Sequence, residues 1–254
     1  LLYLCRAGIA CIHFTKIKLK SMKRNATLLL ATCTMAFGAI QAQTLDEVIN
    51  NHITAQGGKD KLAALKSVKF TGSMSTQGMD IPMTIVRAHQ MGMRMDMEIM
   101  GSSNYQLMNT TEGWSFMPVM GMTEPKKMED EQFKGSLSQL DIQGALFNYQ
   151  EKGHKLELIG KDKVDGAEAY KLKMVSKDGK ESNYFIDAKT YHLVKTSSKA
   201  NVQGQEMDVE TSFADFKQNA DGYWFPYTIN TMQGAITFEK IETNVPVDEK
   251  LFKN

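Results

Sequence analysis

The sequence predicts an α+β fold that is mainly β: a curved antiparallel sheet of about ten or eleven strands, with helices covering one side. Three observations indicate it. Helical periodicity is confined to the residues just after position 43 and to a central segment, 123–150. Elsewhere apolar and polar residues alternate, which is the period of a half-buried strand. Turn dipeptides separate these alternating segments, as in serial hairpins.

Residues 22–42 have the layout of a secretory signal peptide. Lys23 and Arg24 precede a 15-residue apolar run, "ATLLLATCTMAFGAI", which is shorter than the ~20 residues needed to span a membrane. We therefore interpret 1–21 as an upstream extension outside the mature protein, 22–42 as a signal peptide cleaved near Ala42, and 43–254 as a single domain. The alternative is a lipoprotein signal, with the protein anchored to a membrane through Cys33.

The cysteines and charges after position 42 restrict the class of protein. Cys5, Cys11 and Cys33 all precede this position, and so do six of the 30 basic residues, which leaves 24 basic against 29 acidic side chains. The mature chain has no basic tract, and nucleic-acid binding depends on clustered Lys and Arg. We therefore expect no nucleic-acid partner. Export without cysteine suits a Gram-negative periplasm, and we expect a monomer.

Two helices are predicted at the start of the mature chain. Thr44 and Glu47 have capping-box spacing, an apolar stripe follows, and Gly57–Gly58 end the first helix. "KDKLAALK" predicts a short second helix. His52 lies on the apolar stripe, and we interpret it as a half-buried packing residue rather than a ligand.

From Ser67 onward the pattern predicts strands. "SVKFTGSMSTQGMDIPMTIVRA" reads as two strands joined near Gln77–Gly78, and Pro82 predicts that the second is an edge strand or carries a bulge. A methionine-rich strand follows, and then a hairpin with its turn at Glu112–Gly113. Later turns are predicted at Asp165–Gly166, Asp178–Gly179, Gly204–Gln205 and Asp221–Gly222.

The central segment, 123–150, is predicted to form helices broken near Gly135 and Gly144. Its apolar residues are widely spaced, at Met128, Phe133, Leu137, Leu140 and 145–147. These helices would cover one side of the curved sheet.

The sequence contains no catalytic motif that we can identify. The four histidines after position 42 are scattered, and His-Glu-x-x-His, Gly-x-Ser-x-Gly and Walker-type patterns are absent. Asp96 and Glu98 alternate with the methionines on one strand, together with Arg94, which indicates a solvated face with local ion pairing. We therefore expect a protein that is not an enzyme and that needs no cofactor or metal.

Methionine is the most unusual feature of the composition. Of 18 methionines, 13 lie between Met74 and Met128, and "HQMGMRMDMEIMG" places four at alternate positions. Same-face residues on a strand are ~6.6 Å apart, so these thioethers form a line instead of surrounding one copper(I) ion. Three interpretations remain: ordinary core, the adaptable wall of a lipid cavity, and a copper(I) site near His89. The residues predicted to line the apolar cavity are Met79, Ile81, Met83, Ile85, Met91, Met93, Met95, Met97, Trp114 and Phe116.

Several stretches, in this order and spacing, are similar to the LolA/LolB-like superfamily, in particular to the outer membrane lipoprotein-sorting group. They are "AQGGKDKLAALKSVKFTGSMSTQGMDIPMTIV", "TTEGWSFMPVMG", "YKLKMVSKDGKESNYFIDAKTYHLVK", "FADFKQNADGYWFPYTI" and "FEKIETNVPVDEKLF". The resemblance covers most of the mature chain. It implies a half-open antiparallel β-barrel with a helical lid.

The resemblance also implies a function. Proteins of this group shield the acyl chains of lipoproteins in the periplasm, so the expected partners are a lipid acyl chain or lipoprotein and membrane-bound donor and acceptor proteins. The best-known carriers hold the lid with an arginine on a barrel strand, and Arg87 and Arg94 are the only arginines after position 42. The alternative of a different class is a periplasmic sensor or scaffold that binds a protein partner through the open edge of the sheet.

Overall fold

The computed structural model of the protein describes residues 43–202 and 205–254. The predicted upstream extension, the signal peptide with Cys33 and the turn residue Gly204 lie outside the described residues. The strands are β1 (Ser67–Thr76), β2 (Met79–Ala88), β3 (Gly92–Ile99), β4 (Ser102–Asn109), β5 (Gly113–Phe116), β6 (Lys126–Lys127), β7 (Lys155–Val164), β8 (Ala167–Val175), β9 (Glu181–Asp187), β10 (Leu193–Val202), β11 (Gln205–Gln218), β12 (Trp224–Thr231) and β13 (Gly234–Thr243). The helices are α1 (Leu45–Ala55), α2 (Lys59–Ala64) and α3 (Asp130–Ser136), with 3-10 turns at Pro118–Met120, Leu137–Leu140 and Glu249–Phe252.

All of these strands belong to one antiparallel sheet, in the order β6-β5-β4-β3-β2-β1-β13-β12-β11-β10-β9-β8-β7. The sheet is open, because β6 and β7 are its two edges and do not pair with each other in the described part of the chain. The mainly β class with a few helices is therefore confirmed. The strand count is thirteen rather than ten or eleven, and the two-residue β6 is too short for sequence alternation to reveal it.

The segment between β6 and β7 accounts for the predicted helical lid. These two strands are consecutive in the chain, yet they lie at opposite edges of the sheet. The intervening residues 128–154, which we call the strap, therefore cross one face of the sheet from edge to edge. The strap contains α3 and the 3-10 turn Leu137–Leu140. We call the sheet face that the strap covers the inner face and the opposite one the outer face.

Two apolar clusters fill the space between the inner face and its covering segments. The first joins β1–β4, β12 and β13 to Phe133, Leu137 and Leu140 of the strap. The second joins β7–β10 to Val48 and Ile49 of α1, and Leu146 of the strap belongs to it. The strap thus contributes to both clusters, and together with α1 it covers both halves of the sheet.

Helix α1 begins as its sequence predicts. The Thr44 hydroxyl accepts a hydrogen bond from the Glu47 amide, and the Glu47 carboxylate accepts one from the Thr44 amide, which completes the capping box. His52 is more deeply buried than predicted, at 3 % exposure. Its Nδ1 lies 2.8 Å from the Tyr191 carbonyl oxygen, to which it donates. Burial lowers the pKa of His52 to about 4, so its imidazole is neutral at pH 7.

The C-terminal 3-10 turn packs on the outer face. Gly92 faces it, and a Cβ on Gly92 would lie 2.3 Å from Cγ of Phe252. Only glycine admits so close an approach of the two segments. Phe252 is almost fully buried, and the Asn109 side chain donates to its carbonyl oxygen at 3.2 Å. This contact holds the end of the chain against β3 and β4.

Pro82 does not make β2 an edge strand. Strand β2 pairs along its length with β1, and with β3 from Met83 to Ala88. The pairing of β2 with β3 ends at Met83, so Pro82 has no paired residue on β3. The missing proline N–H is thus tolerated inside the sheet, because it lies where β2 is locally unpaired.

Candidate functional site

The candidate site is the inner face of β1–β4, β12 and β13. Residues directly opposite each other in antiparallel strands point to the same side. Met83 is opposite Met97, Ile85 is opposite Met95, and Phe70 is opposite Ile85. All of these side chains contact the first apolar cluster, as does Met93. Five of the predicted cavity residues therefore share one continuous surface, and Ile81 joins them by strand alternation.

Met79 and Met91 lie at the margins of this surface. Met79 is the first residue of β2 and is 39 % exposed. Met91 belongs to the turn between β2 and β3 and is 38 % exposed, so the methionine row on the strand has three members instead of four. The prediction that Met91 belongs to the strand is wrong, because the turn between β2 and β3 ends only after this residue.

Trp114 and Phe116 lie on the outer face, so the prediction that they share a surface with the methionines is wrong. Trp114 is opposite Leu107 and Phe116 is opposite Tyr105, and these four side chains point away from the strap. Gly113 and Ser115 are the β5 residues that face inward, and a Cβ on Gly113 would lie 2.6 Å from Sδ of Met128. A register one residue away from the one assumed moves every side chain to the other face.

Sequence reasoning missed the aromatic part of the inner face. The Phe70 ring lies 4.9 Å from that of Phe238 and 6.0 Å from that of Phe225, measured between centroids. Tyr227 and Ile229 continue the same row at alternate positions of β12 and pack against the same cluster. This alternation, "FPYTI", was the signal that could have identified them. The inner face thus combines flexible thioethers from β2 and β3 with rigid rings from β1, β12 and β13.

The strap is attached to the end of the inner face near the turn between β2 and β3. The Gln90 amide donates to the Leu140 carbonyl oxygen at 2.9 Å. Asp141 lies 2.6 Å from the Lys152 ammonium and 3.8 Å from Nδ1 of His89. Burial lowers the pKa of His89 despite the nearby Asp141 carboxylate, so Lys152 is the main cation of this group at neutral pH.

The fold can now be compared with known proteins. No family model matches the sequence, and no curated protein matches it. Solved structures do match. One is a LolA superfamily protein from Nitrosomonas europaea, at 12 % identity and a TM-score of 0.53, covering 84 % of this chain and 99 % of that one. The chain shares the fold of this solved structure. An outer membrane lipoprotein-sorting protein domain from Vibrio parahaemolyticus matches at 15 % identity and a TM-score of 0.52, and the match covers 82 % of this chain and 95 % of that one. A DUF1329 family protein from Desulfovibrio piger matches at 14 % identity and a TM-score of 0.54, and the match covers 82 % of this chain and 96 % of that one.

In this fold the two arginines occupy different faces. Arg94 lies on the outer face, where its guanidinium binds the Asp96 carboxylate at 2.8–3.0 Å and lies over the Tyr105 ring. Arg87 lies on the inner face, opposite Val68 of β1 and Met93 of β3. Its Nε is buried and has no hydrogen-bond acceptor among the described residues. Burial lowers the pKa of the Arg87 guanidinium.

The end of the sheet opposite the strap attachment is more open. Because neighbouring strands are antiparallel, the β1–β2, β3–β4 and β12–β13 turns lie at one end of the sheet, which we call the open end. Met100 and Met232, in two of these turns, are 82 % and 60 % exposed. A groove of about 660 Å³ lies between the β1–β2 and β12–β13 turns. Met74 lines this groove and also packs against the first apolar cluster, so the groove adjoins the inner face.

In the described residues, no helix combines the length and the hydropathy that crossing a membrane would require. The same residues contain no group of three or more His, Cys, Asp or Glu side chains placed to hold a metal ion. The thioethers of Met93, Met95 and Met97 follow one another along β3.

Proposed function

We propose that this protein is a periplasmic carrier that shields lipid acyl chains on the inner face of its sheet, in the sorting of outer-membrane lipoproteins. The observation that carries the proposal is a continuous apolar face covered by a crossing segment instead of by a second sheet. The proposal assigns the protein a binding role as a monomer, without catalysis, cofactor or metal. Its exchange partners would be membrane-bound donor and acceptor proteins.

The energetics support an acyl ligand. Burying an acyl chain contributes ~0.8 kcal/mol per CH₂ group, so an apolar face of this extent can compete with a membrane for it. Methionine side chains are unbranched and polarizable, and they adapt to ligands of different shape. Met95 and Met97 are only partly buried under the strap. They are therefore suited to exchanging contacts with the strap for contacts with a chain.

The ends of the inner face suggest a route for the ligand. At one end the strap is bound through Leu140 and Asp141. At the open end the groove beside Met74 lies between two turns and adjoins the inner face. We infer that the lipid enters from the open end and that its acyl chain displaces strap side chains such as Leu137 from the sheet. The strap itself stays in place, because it is attached to strands at both edges.

A sensor or scaffold that binds a protein partner is the alternative, and β7 favours it. This ten-residue edge strand is paired on one side only, with β8, and the free backbone groups of an edge can pair with a strand of another chain. The two functions differ in a measurable way. A carrier purified from a membrane-containing host retains lipid that native mass spectrometry detects, whereas a protein-binding sensor does not.

Substitution of one inner-face methionine tests the carrier directly. Met95→Gln introduces a polar amide on the inner face and should weaken binding of a fluorescent fatty-acid probe about tenfold, whereas Met95→Leu should change it little. Met100→Gln, at an exposed turn position of the same hairpin, is the matched control and should bind like the parent. Circular dichroism verifies that each variant is folded. A folded Met95→Gln protein with parental affinity, or a parent that binds no apolar probe, would contradict the proposal.

A further inference from the structure

We propose that the carried lipid is anionic, and that Arg87 binds its carboxylate or phosphate headgroup at the strap-bound end of the inner face. This inference rests on the proposed function and narrows its ligand class. It starts from one observation that acyl shielding alone does not explain. The Arg87 guanidinium lies on a mainly apolar face, and its Nε is buried without an acceptor among the described residues.

The surroundings of Arg87 are apolar on both sides. Val68 is opposite it on β1, Met93 is opposite it on β3, and Met108 of β4 continues the same row. All three are buried members of the first apolar cluster. The guanidinium carbon lies 5.9 Å from the centre of the Phe70 ring. A cation in such surroundings is costly unless an anion and hydrogen-bond acceptors compensate it.

The described residues supply no such anion. Arg87 forms no ion pair there, and its Nε has no acceptor. Asp141, the acidic residue of the strap attachment, is paired with Lys152 at 2.6 Å. Arg94 shows the contrast, because its guanidinium on the outer face is bound by Asp96. The anion that Arg87 lacks is therefore expected to come from a ligand.

A guanidinium selects the type of headgroup. Its planar N–H donors match the two oxygens of a carboxylate or a phosphate, and such charge-assisted pairs are roughly twice as strong as neutral hydrogen bonds. A fatty acid, a lysophosphatidate or another phosphate-bearing acyl lipid presents this group. An alcohol or a neutral ester carries no charge and would leave the guanidinium unpaired.

The length of the inner face fits a chain that starts at Arg87. Ile81 lies six residues from Arg87 along β2, which is ~20 Å at ~3.3 Å per residue. Each leaflet of a bilayer is ~15 Å of hydrocarbon, half of the ~30 Å core. A chain with its headgroup on Arg87 would thus run beside Met93, Met95 and Met97 toward the open end. The methionine row then contacts the chain, and Arg87 fixes its direction.

Competition experiments test the headgroup. A neutral apolar dye, Nile red, is bound to the protein and displaced by palmitate, by palmitoyl lysophosphatidate or by hexadecanol, which has the same chain and no charge. We expect at least one of the two anions to compete about tenfold more strongly than hexadecanol, because hydrogen bonds to charged groups are the stronger kind. Comparing palmitate with lysophosphatidate distinguishes a carboxylate from a phosphate ligand.

Two variants test whether the preference for anionic lipids depends on Arg87. Arg87→Met should abolish the preference for anions while retaining hexadecanol binding, since an unbranched apolar side chain replaces the cation among apolar neighbours. Arg94→Met, on the outer face, should keep the preference. If the parent is displaced equally by anions and hexadecanol, or if folded Arg87→Met keeps the preference, this inference is wrong and the carrier remains. If the parent binds no dye and no lipid, the proposed function fails and this inference fails with it.

Discussion

Lowering the pH should destabilise the protein through His52. This imidazole is buried beneath α1 and donates to the Tyr191 carbonyl oxygen, and its pKa in the folded state is lowered to about 4 from an ordinary value of 6.5. Between these two values the unfolded chain binds a proton that the folded chain does not. The free energy of unfolding therefore falls as the pH falls from 6.5 toward 4, and it is unaffected by this group well above pH 6.5.

The size of the effect follows from the two pKa values. Between pH 7 and pH 5, linkage gives a loss of about 2 kcal/mol from His52. Burial also lowers the pKa of His89, His154 and His192, so these groups change the stability in the same direction. A variant is needed to separate their contributions. His52→Asn retains a side-chain N–H donor but does not titrate.

Urea denaturation at pH 7 and pH 5 measures the difference. The parent should lose about 2 kcal/mol more than His52→Asn over this interval. The variant has the other three histidines, so their contribution cancels in the comparison. Equal losses in the two proteins would refute the argument, because they would show that His52 titrates similarly in the folded and unfolded chains.

Four other predictions follow from features described above. N-terminal sequencing of exported protein should begin near Gln43, and a lipid-modified Cys33 would contradict this. Copper(I) titration under reducing conditions should reveal no site tighter than about micromolar, since the thioethers of β3 do not converge; a tight stoichiometric site lost in Met93→Leu would support the copper alternative. Gly92→Ala should lower stability by about 1–3 kcal/mol in thermal denaturation through overpacking against Phe252, whereas Gly135→Ala, with open space around it, should be neutral or stabilising. Asp141→Asn should loosen the strap and speed probe entry by up to about fivefold, the range of a partly exposed ion pair; an unchanged stopped-flow rate would show that this pair does not limit entry.

Much of the sheet could be predicted from the sequence, because hairpins are local. Turns such as Asp165–Gly166 and Asp178–Gly179 join strands whose alternation is visible over a few residues. The same holds for the capping box at Thr44, since both of its partners lie within one helical turn. In these cases the interaction that decides the structure is contained in the segment itself.

The features that could not be predicted depend on how each strand pairs with its neighbours. The face on which Trp114 lies is set by the pairing of Met108 with Gly113, and a shift of one residue would reverse it. Met91 was assigned to the strand because the alternation begins before the turn ends. The position of Arg87 beside Val68 and Met93 depends on two registers at once. Local periodicity contains no information about any of these registers.

The pairing of β1 with β13 also has a consequence for how the molecule folds. Phe70 is paired with Ile241, so the first and last strands meet in the middle of the sheet. The two halves of the sheet on either side of this seam, β1–β6 and β7–β13, are each built of hairpins between consecutive strands. Contacts local in sequence form quickly, while closing a long loop costs more entropy and slows folding. We therefore expect each half to assemble by itself and the seam to form last. Until it does, two apolar half-faces remain in water, and aggregation during refolding should depend on substitutions along the seam.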